Sequence, residues 1–235
     1  MQKLSLETIL SIIDNLSSSA QSQALSPAES DGKGRLIDAA KIEFSQKGFA
    51  GASVLTISER AGVKQPLLNY HFGNKEGLWR AVIENTYAIS TAEWEKVRTL
   101  ILQNEDPLTR LKGVLAAFIA IHHRDPTAQA LVYAEVAQPS ARLEWMVDRF
   151  VKPFHIFLDS ILQECIDANQ IKQLPDRYAS VMITIMLNSH LLGANLILRL
   201  YPESLGEAAE MPLDERIQQL LDILLNGICV SKTLG

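Results

Sequence analysis

Apolar residues recur every three or four positions along most of the chain, and this spacing predicts helices rather than strands. Leu, Ile and Ala dominate the apolar positions, and no segment alternates between apolar and polar residues as a half-buried strand would. Hydrophobic residues make up 47% of the 235 positions, which is enough to form a core. The sequence therefore predicts an all-α fold.

Two short helical patterns meet at a glycine in the N-terminal third of the chain. Val54, Ile57 and Ala61 are spaced to form one apolar face of the first helix. Ser53 precedes them and is a good N-cap, because its hydroxyl can accept a backbone N–H of the first turn. Gly62 then ends the helix where the backbone has to turn sharply.

The second pattern begins with Pro66, which suits the first turn of a helix because the missing N–H has no partner there. Leu68 and Phe72, four positions apart, predict its buried side. Its other side carries polar and aromatic residues: Lys64, Gln65, Leu67, Asn69, Tyr70 and His71. A short helix that packs against the domain, followed by one that exposes polar and aromatic residues, is typical of a helix-turn-helix. Two short helices of this kind also occur in many other helical proteins.

The residues on both sides of the motif favour the first interpretation. In order and spacing they resemble the TetR family of bacterial transcription regulators. The matching residues are Ala39-Ala40…Phe44…Lys47-Gly48-Phe49, Ile57…Ala61-Gly62-Val63, and Tyr70-His71-Phe72…Asn74-Lys75-Glu76…Leu78. The resemblance covers about a fifth of the chain, and the remainder matches only in length and helical character.

The resemblance implies three parts: an N-terminal extension over 1–32, a three-helix DNA-binding head over 33–79, and a larger helical ligand-binding and dimerisation body over 80–235. It also implies a ligand-responsive regulator, by family default a repressor. Such a protein binds a palindromic operator in double-stranded DNA as a homodimer and is released by a small-molecule effector.

By match to the family, one set of residues is expected to contact DNA: Ser53, Thr56, Lys64, Gln65, Pro66, Leu67, Asn69, Tyr70, His71 and Lys75. Gln65 can pair with adenine, Lys64 can reach guanine or phosphate, and Leu67 can touch a thymine methyl. His71, Leu67 and Asn69 depart from the residues common in the family, which leaves the operator sequence open. Tyr70 and His71 could instead pack against the next helix.

The body is expected to hold a small-molecule pocket, since an apolar cavity between helices is a common ligand site. The candidate lining residues are Trp94, Phe118, His122, Tyr133, Trp145, Phe154, Phe157, Met182, Met186 and Asn188. Their aromatic and methionine side chains suit a hydrophobic or aromatic effector, although residues of these types are more often plain core. Ligand bound there would tilt the helix predicted over 75–102 and change the separation of the two heads.

Further helices are predicted over 107–123, from the break at Asp125-Pro126 to Ala137, over 141–168 with a bend at Pro153, from Pro175-Asp176 through 178–198, and over 213–229. The stretch 178–198 has no charged residue and is long enough to span a bilayer. Asn188, Ser189, His190 and Asn195 in its middle argue against a membrane span. We expect this helix to be buried on all sides, and to pair with the last helix and their copies in a second subunit. The alternative is that both helices are monomer core.

Charge is unevenly distributed along the chain. The net charge is −5, but residues 33–80 hold eight Lys/Arg and four Asp/Glu, so this segment is +4 and the remainder −9. A basic head on an acidic remainder is typical of a nucleic-acid-binding domain joined to another domain. Cys165 and Cys229 have no metal-ligand spacing and are expected to be reduced thiols in a cytoplasmic protein without a signal peptide.

The N-terminal extension departs from the family pattern. Leu6, Ile9, Leu10, Ile13 and Leu16 share one helical face, and residues 17–32 read as a linker. The extension is either a loosely attached tail or a helix that docks on the body or on a partner subunit, since an isolated helix of this length is marginal in water.

No catalytic motif of the HExxH, GxSxG, P-loop or CxxC type occurs, so no enzyme activity, metal or cofactor is expected. Two competing classes remain: a helical enzyme built around 106–200, and a DNA-architectural scaffold that binds no ligand. The first would show turnover, and the second would show no thermal stabilisation by any small molecule.

Overall fold

The structure is a computed structural model that describes residues 7–12, 32–137, 140–174, 178–192, 199–200 and 212–229. The helices are α1 (Gly32–Gly51), α2 (Val54–Arg60), α3 (Gln65–Phe72), α4 (Lys75–Leu102), α5 (Pro107–Arg124), α6 (Thr127–Val136), α7 (Ala141–Met146), α8 (Lys152–Asp167), α9 (Ala179–Leu192) and α10 (Leu213–Ile228), and a π-helical turn, Val147–Val151, joins α7 to α8. Within the described ranges, the β-type pairing is one isolated bridge between Ile171 and Cys229.

This architecture confirms the all-α prediction, and α4 has the predicted bounds. Of the predicted linker over 17–32, residues 17–31 lie outside the described residues, as do Pro139 and Asn195, whereas Gly32 begins α1. The side chains of Ser189 and His190 also lie outside them.

The chain divides into two compact units. The head unit comprises Leu16–Ala92 together with Asp125–Val151, and the body unit comprises Met1–Asn15, Glu93–Arg124 and Lys152–Gly235. The head unit thus includes α6, α7 and the π-helical turn as well as α1 to α3. The predicted domain boundary at residue 80 stays a prediction, but the grouping of 125–151 with the helix-turn-helix is a feature that the sequence did not suggest.

The head unit has its own apolar core, to which α1 to α4, α6 and α7 contribute. Its buried members are Leu36, Ala39, Ala40, Phe44, Ala52, Ile57, Ala61, Leu68, Leu78, Trp79, Val82, Ile83, Leu131 and Met146. An ion pair of 2.7 Å between Lys41 Nζ and Asp125 Oδ2 adds a polar link between α1 and the residues that begin α6. The segment 125–151 is therefore part of what holds the helix-turn-helix in shape.

The body unit is centred on α5, in which every residue from Gly113 to Ile121 is buried. Residues 7–12 are helical, and Ile9 is 2% exposed within the body core. Leu10 and Ile12 also pack against this core. Of the two alternatives for the N-terminal extension, the described residues therefore show docking on the body.

The single bent helix predicted over 141–168 is wrong in one respect. The structure has α7, then the π-helical turn Val147–Val151, then α8. Pro153 lies at the second position of α8, where it has no N–H to donate to the preceding turn. Just before Pro153 the backbone forms the π-helical turn, whose hydrogen bonds span five residues instead of four. Such turns occur locally where the regular α-helical bonding pattern is interrupted.

Within one chain, α9 is not buried on all sides, and the predicted burial of its outer side by a second subunit stays a prediction. Val181, Met182 and Ile185 are 40%, 64% and 47% exposed, whereas Ile183 and Leu187 face the core. An uncharged sequence gives no indication of which side of such a helix is covered within one chain. Within the described ranges, the structure has no helix that is long and apolar enough to cross a membrane.

Candidate DNA-binding interface

The turn between α2 and α3 is built from short-range contacts. Ser53 Oγ accepts a hydrogen bond from the Thr56 backbone N–H at 3.4 Å, so Ser53 is the predicted N-cap. Gly62 has a φ of 64°, a left-handed conformation that favours glycine. Arg35 Nε donates to the Ala61 carbonyl at 3.1 Å, placing a cation at the C-terminal end of α2, where it is favourable.

One side of α3 is anchored and the other is open. Leu68 is fully buried in the head unit, whereas Tyr70 is 82% exposed. Exposed beside Tyr70 are Lys64, Gln65, Pro66 and Asn69. This exposure excludes the alternative in which Tyr70 packs against the next helix. α3 therefore presents a polar and aromatic surface at its N-terminal end, the end that enters the major groove in helix-turn-helix proteins.

Two other predicted contact residues on α3 are partly occupied within the chain. A Cβ added to Gly32 would lie 2.6 Å from Leu67 Cδ2, which places the Leu67 side chain against the start of α1. The His71 ring centroid is 5.1 Å from that of Tyr70 and 6.0 Å from that of Phe72. The two side chains are thus only partly available to DNA.

The junction between α3 and α4 leaves little freedom. Asn74 Oδ1 accepts a hydrogen bond from the Gly77 N–H at 2.9 Å and caps the start of α4. A Cβ on Gly77 would lie 2.0 Å from the Phe72 carbonyl oxygen, so only glycine fits this close approach. The angle between α3 and α4 is consequently fixed by backbone contact.

Lys75, predicted to contact phosphate, begins α4. Its Nζ lies 3.4 Å from the Ala50 carbonyl and 4.8 Å from the ring centroid of Phe49. Partial burial lowers the pKa of Lys75 from its ordinary value, and the nearby positive charge of Arg142 adds to this effect. The Lys75 side chain therefore links the start of α4 to the last residues of α1.

A buried carboxylate lies beneath the helix-turn-helix. Glu43 on α1 is fully buried, and its Oε1 accepts from Lys47 Nζ at 2.6 Å and from the Ser53 N–H at 3.4 Å. Its Oε2 has Arg60 at 4.0 Å and no hydrogen-bond donor among the described residues. The hydrogen bond from Lys47 is the largest cause that lowers the pKa of Glu43. Glu43 thus ties α1 to the residue that caps α2.

Arg142, on α7, was not predicted as a functional residue. Its guanidinium carbon lies 3.7 Å from the ring centroid of Phe49 and 5.8 Å from that of Trp79. Its Nη2 is 3.2 Å from Oε2 of Glu135, a buried carboxylate on α6. A weak signal was available, since Glu135 and Arg142 are seven positions apart with opposite charge. However, nothing in the sequence placed either of them beside Phe49.

Most of the predicted pocket residues lie in the body unit, where their rings contact one another. The Trp94 ring centroid is 5.2 Å from Phe154 and 5.5 Å from Phe157. Phe118 is 5.1 Å from Phe154 and 4.2 Å from His122. These five residues, which we call the aromatic cluster, were all predicted as pocket residues.

The five other pocket candidates are more dispersed. Met186 is partly buried against the body core and Asn188 is buried, whereas Met182 is largely exposed. Tyr133 and Trp145 belong to the head unit, in which Trp145 lies 5.9 Å from Trp79. The structure therefore does not bring all ten candidates together, and the pocket stays a prediction.

A polar pair lies next to this part of the body unit. His155 Nδ1 on α8 is 3.2 Å from Oγ of Ser180, a fully buried residue on α9. Burial lowers the pKa of His155, and the negative charge of Asp159 partly opposes this effect. The pair is favourable in the neutral state of the imidazole, which can share a hydrogen bond with the serine hydroxyl.

The glycine turn, the buried Leu68 side and the exposed face of α3 define a helix-turn-helix regulator. The chain belongs to the TetR family of transcriptional regulators. Residues 36–82 match the family described as bacterial regulatory proteins, tetR family, and residues 105–228 match the C-terminal domain of the HTH-type transcriptional dual regulator CecR.

Similar proteins agree with this assignment. The HTH-type transcriptional repressor KstR2 of Mycobacterium tuberculosis is 28% identical over 139 residues, which cover 56% of this chain and 65% of the repressor. The HTH-type transcriptional regulator BetI of Paraburkholderia phymatum is 27% identical over 89 residues, 36% of this chain and 42% of BetI. The chain thus matches less than two thirds of the length of these curated relatives.

Solved structures show the same fold. HlyIIR, a hemolysin II transcriptional regulator, superposes with a TM-score of 0.63 at 21% identity over 88% of this chain and all of HlyIIR. FadR from Bacillus subtilis, solved in complex with stearoyl-CoA, gives a TM-score of 0.58 at 21% identity over 82% of this chain and 97% of FadR.

Proposed function

We propose that this chain is a ligand-responsive repressor that binds a palindromic operator as a homodimer and is released by a small-molecule effector. The observation that carries the proposal is the exposed polar and aromatic face of α3 behind a rigid glycine turn. Because one head would read only a few base pairs, a dimer that sets two heads on two half-sites gives useful specificity.

In this proposal the contacts divide into two layers. Gln65, Lys64 and Tyr70 face base edges from the N-terminal part of α3, and Ser53, Thr56 and Lys75 face phosphates. Tyr70 carries the most exposed large side chain of the set, at 82%. Loss of these contacts should therefore relax sequence preference before it abolishes binding altogether.

The dimer is supported by apolar surface on the body unit. Tyr178, Val181, Met182 and Ile185 are exposed along the start of α9, and Ile223 on α10 is 67% exposed. Large apolar side chains at this density on two helices are typical of a surface that another subunit covers. An isologous contact of this kind would pair α9 and α10 with their copies.

The proposed effector is a hydrophobic molecule that binds at the aromatic cluster. The cluster provides a large apolar surface, and His122 and the nearby His155–Ser180 pair provide a few polar groups, the usual composition of a ligand site. FadR, which shares the fold, was solved with stearoyl-CoA, so acyl-CoA thioesters are the first class to test.

The test of DNA recognition is selection of bound duplexes from a random pool by the full chain. We expect a dyad-symmetric consensus, which the double variant Gln65→Ala, Tyr70→Ala should lose. Gln103→Ala, which removes an exposed glutamine that follows α4, is the matched control. A consensus without dyad symmetry, or an unchanged consensus in the double variant, would count against the proposal.

The dimer is tested by measuring the molar mass of the wild type and of two variants by light scattering. Ile185→Asp is expected to give a monomer with weaker operator binding, while Ile156→Asp, at a still more exposed isoleucine on α8, should leave the dimer intact.

The effector is tested by thermal shift with acyl-CoA thioesters of increasing chain length. A molecule that binds the folded protein must raise its melting temperature. By linkage, an effector that releases the protein from its operator must also bind more weakly when operator is present.

A further inference from the structure

Two cationic side chains from distant parts of the chain lie over the same phenyl ring. Lys75 Nζ is 4.8 Å from the Phe49 ring centroid, and the Arg142 guanidinium carbon is 3.7 Å from it. Each contact is favourable alone, because a ring face attracts a cation. Together they place two positive charges close to one another, and this proximity contributes to the lowered pKa of Lys75.

Arg142 is held firmly in this arrangement. Its Nε and Nη2 donate to the two carboxylate oxygens of Glu135 at 3.3 and 3.2 Å. Glu135 is 3% exposed and also accepts from Ser140 Oγ at 2.8 Å. A two-point contact to a buried carboxylate fixes the plane of a guanidinium group as well as its position.

Lys75 is held less firmly. Its hydrogen bond to the Ala50 carbonyl is long at 3.4 Å, and the ammonium has two further N–H groups. It stands at the N-terminus of α4, where the helix dipole is also positive. Because Arg142 is paired with Glu135, Lys75 and the helix N-terminus supply the positive potential that an arriving phosphate would meet.

We infer that Arg142 is a positioning residue for DNA binding: clamped by Glu135 and stacked on Phe49, it fixes the ring against which the ammonium group of Lys75 lies and so positions that group for a backbone phosphate. The inference rests on the proposed function, since it assumes that Lys75 meets DNA. It assigns a role in DNA binding to α6 and α7, which lie outside the helix-turn-helix in sequence.

The experiment uses the full chain and a fluorescently labelled random-sequence duplex, so that no operator needs to be known. Binding is measured by anisotropy across a range of salt concentrations for wild type, Lys75→Gln, Arg142→Gln, Arg142→Lys and the double variant Lys75→Gln, Arg142→Gln. Arg149→Gln is the matched control. It removes the same charge from the same segment, but its guanidinium lies over Phe150, 5.6 Å away, and 3.9 Å from Glu84.

Each phosphate contact contributes about 0.9 to the slope of log affinity against log salt. We expect Lys75→Gln and Arg142→Gln each to lower the slope by about this amount and affinity by about fivefold. The double variant should be no weaker than Lys75→Gln alone, because both changes remove one contact. Arg142→Lys keeps the charge but not the two-point clamp, so an intermediate slope is expected, and Arg149→Gln should keep the wild-type slope.

The inference is overturned when Arg142→Gln retains the wild-type slope, when the two single losses add in the double variant, or when Lys75→Gln has no effect. A lower melting temperature with an unchanged slope would show a merely structural role. Where Arg142→Gln does not fold, Arg142→Lys decides by the same criterion. Failure of the proposed function is distinct, because the wild type itself would then show no salt-dependent binding to duplex DNA.

Discussion

The head unit and the body unit differ in the balance of polar and apolar contacts that stabilise them. In the head unit, Lys41–Asp125 and the stack of Arg142 on Phe49 link segments that are distant in sequence, and two carboxylates, Glu43 and Glu135, are buried. The body unit also has ion pairs between distant segments, Arg110–Glu164 and Arg124–Glu93, but its apolar core is larger and combines aliphatic burial around α5 with the aromatic cluster. The head unit should therefore respond to pH and salt where its charges are buried, and the body unit to loss of apolar volume.

The tryptophans make this comparison measurable. Trp79 and Trp145 belong to the head unit, whereas Trp94 belongs to the body unit. Replacing Trp94 by Phe leaves reporters of the head unit, and replacing Trp79 and Trp145 by Phe leaves a reporter of the body unit. Each variant below can then be followed by denaturant unfolding of one unit at a time.

The largest effect is expected from Leu115→Ala in α5. Leu115 is fully buried in the body core, and truncation of such a leucine lowers the free energy of unfolding by about 2–5 kcal/mol. Urea unfolding followed at Trp94 measures it. Ile156→Ala, at a 61% exposed position of α8, should change stability by less than about 0.5 kcal/mol. Equal effects of the two changes would mean that the body core is not where the structure puts it.

The next effect is expected from Glu43→Gln in the head unit. The change removes the partner of Lys47 and weakens the acceptor of the Ser53 N–H, at a cost of about 1–3 kcal/mol. The folded-state pKa of Glu43 is below its ordinary value of 4.5, so its contribution is present above pH 4.5 and is lost as the pH falls through the folded-state pKa.

Unfolding curves from pH 7 to pH 3, read at Trp79 and Trp145, test this dependence. The Glu43→Gln variant should lose less stability on acidification than the wild type. Glu59→Gln, which changes an exposed carboxylate on α2, should follow the wild-type curve. A Glu43→Gln curve parallel to that of the wild type would contradict the assignment.

A smaller loss of stability is expected from replacing either of two glycines in the head unit, Gly77 or Gly62. The first change tests a steric contact and the second tests a backbone conformation. Gly77→Ala forces a Cβ against the Phe72 carbonyl, which should cost about 1–2 kcal/mol and weaken DNA binding, because α3 must move on α4. Gly62→Ala meets no atom within 4 Å and has only its φ of 64° against it, a cost of about 1 kcal/mol. Anisotropy with a fixed duplex should show the greater loss for Gly77→Ala, and the reverse order would refute this account.

The smallest effect is a pH dependence of the body unit. Burial depresses the folded-state pKa of His155, so its contribution to stability is full above the ordinary value of 6.5 and falls as the pH drops below it. Between pH 7.5 and pH 5.5 the unfolding midpoint at Trp94 should decrease. The decrease should be smaller in His155→Gln, with Ser160→Ala, an exposed serine on the same helix, as control. The pKa of His123, which burial also lowers, contributes in the same direction.

Much of the head could be predicted because local rules determine it. The cap at Ser53, the turn at Gly62 and the buried Leu68 each follow from a few neighbouring residues, and the structure confirms all three. The bounds of α4 were predicted for the same reason. The contact residues on α3 stay predictions.

The features that were missed depend on contacts between distant segments. Nothing local to Arg142 indicates that it lies over Phe49, and a glutamate such as Glu43 is normally assigned to the surface. The docking of Ile9 could only be given as one of two alternatives, because a short apolar stretch does not name its partner. Which side of α9 is buried likewise depends on the helices that pack against it, and an uncharged sequence does not indicate that side.

The π-helical turn Val147–Val151 has one further consequence. It ends at the residue where the head unit passes into the body unit, and it accommodates one more residue than an ordinary turn. Deleting a single residue before Phe150 would restore an ordinary helical turn after α7. Because successive residues of an α-helix are about 100° apart, the Phe150 ring would then turn away from Tyr87, on which it stacks with 4.7 Å between ring centroids. The extra residue therefore sets the register in which the last side chains of the head unit pack, and we expect insertions or deletions there to be tolerated less well than in the loops.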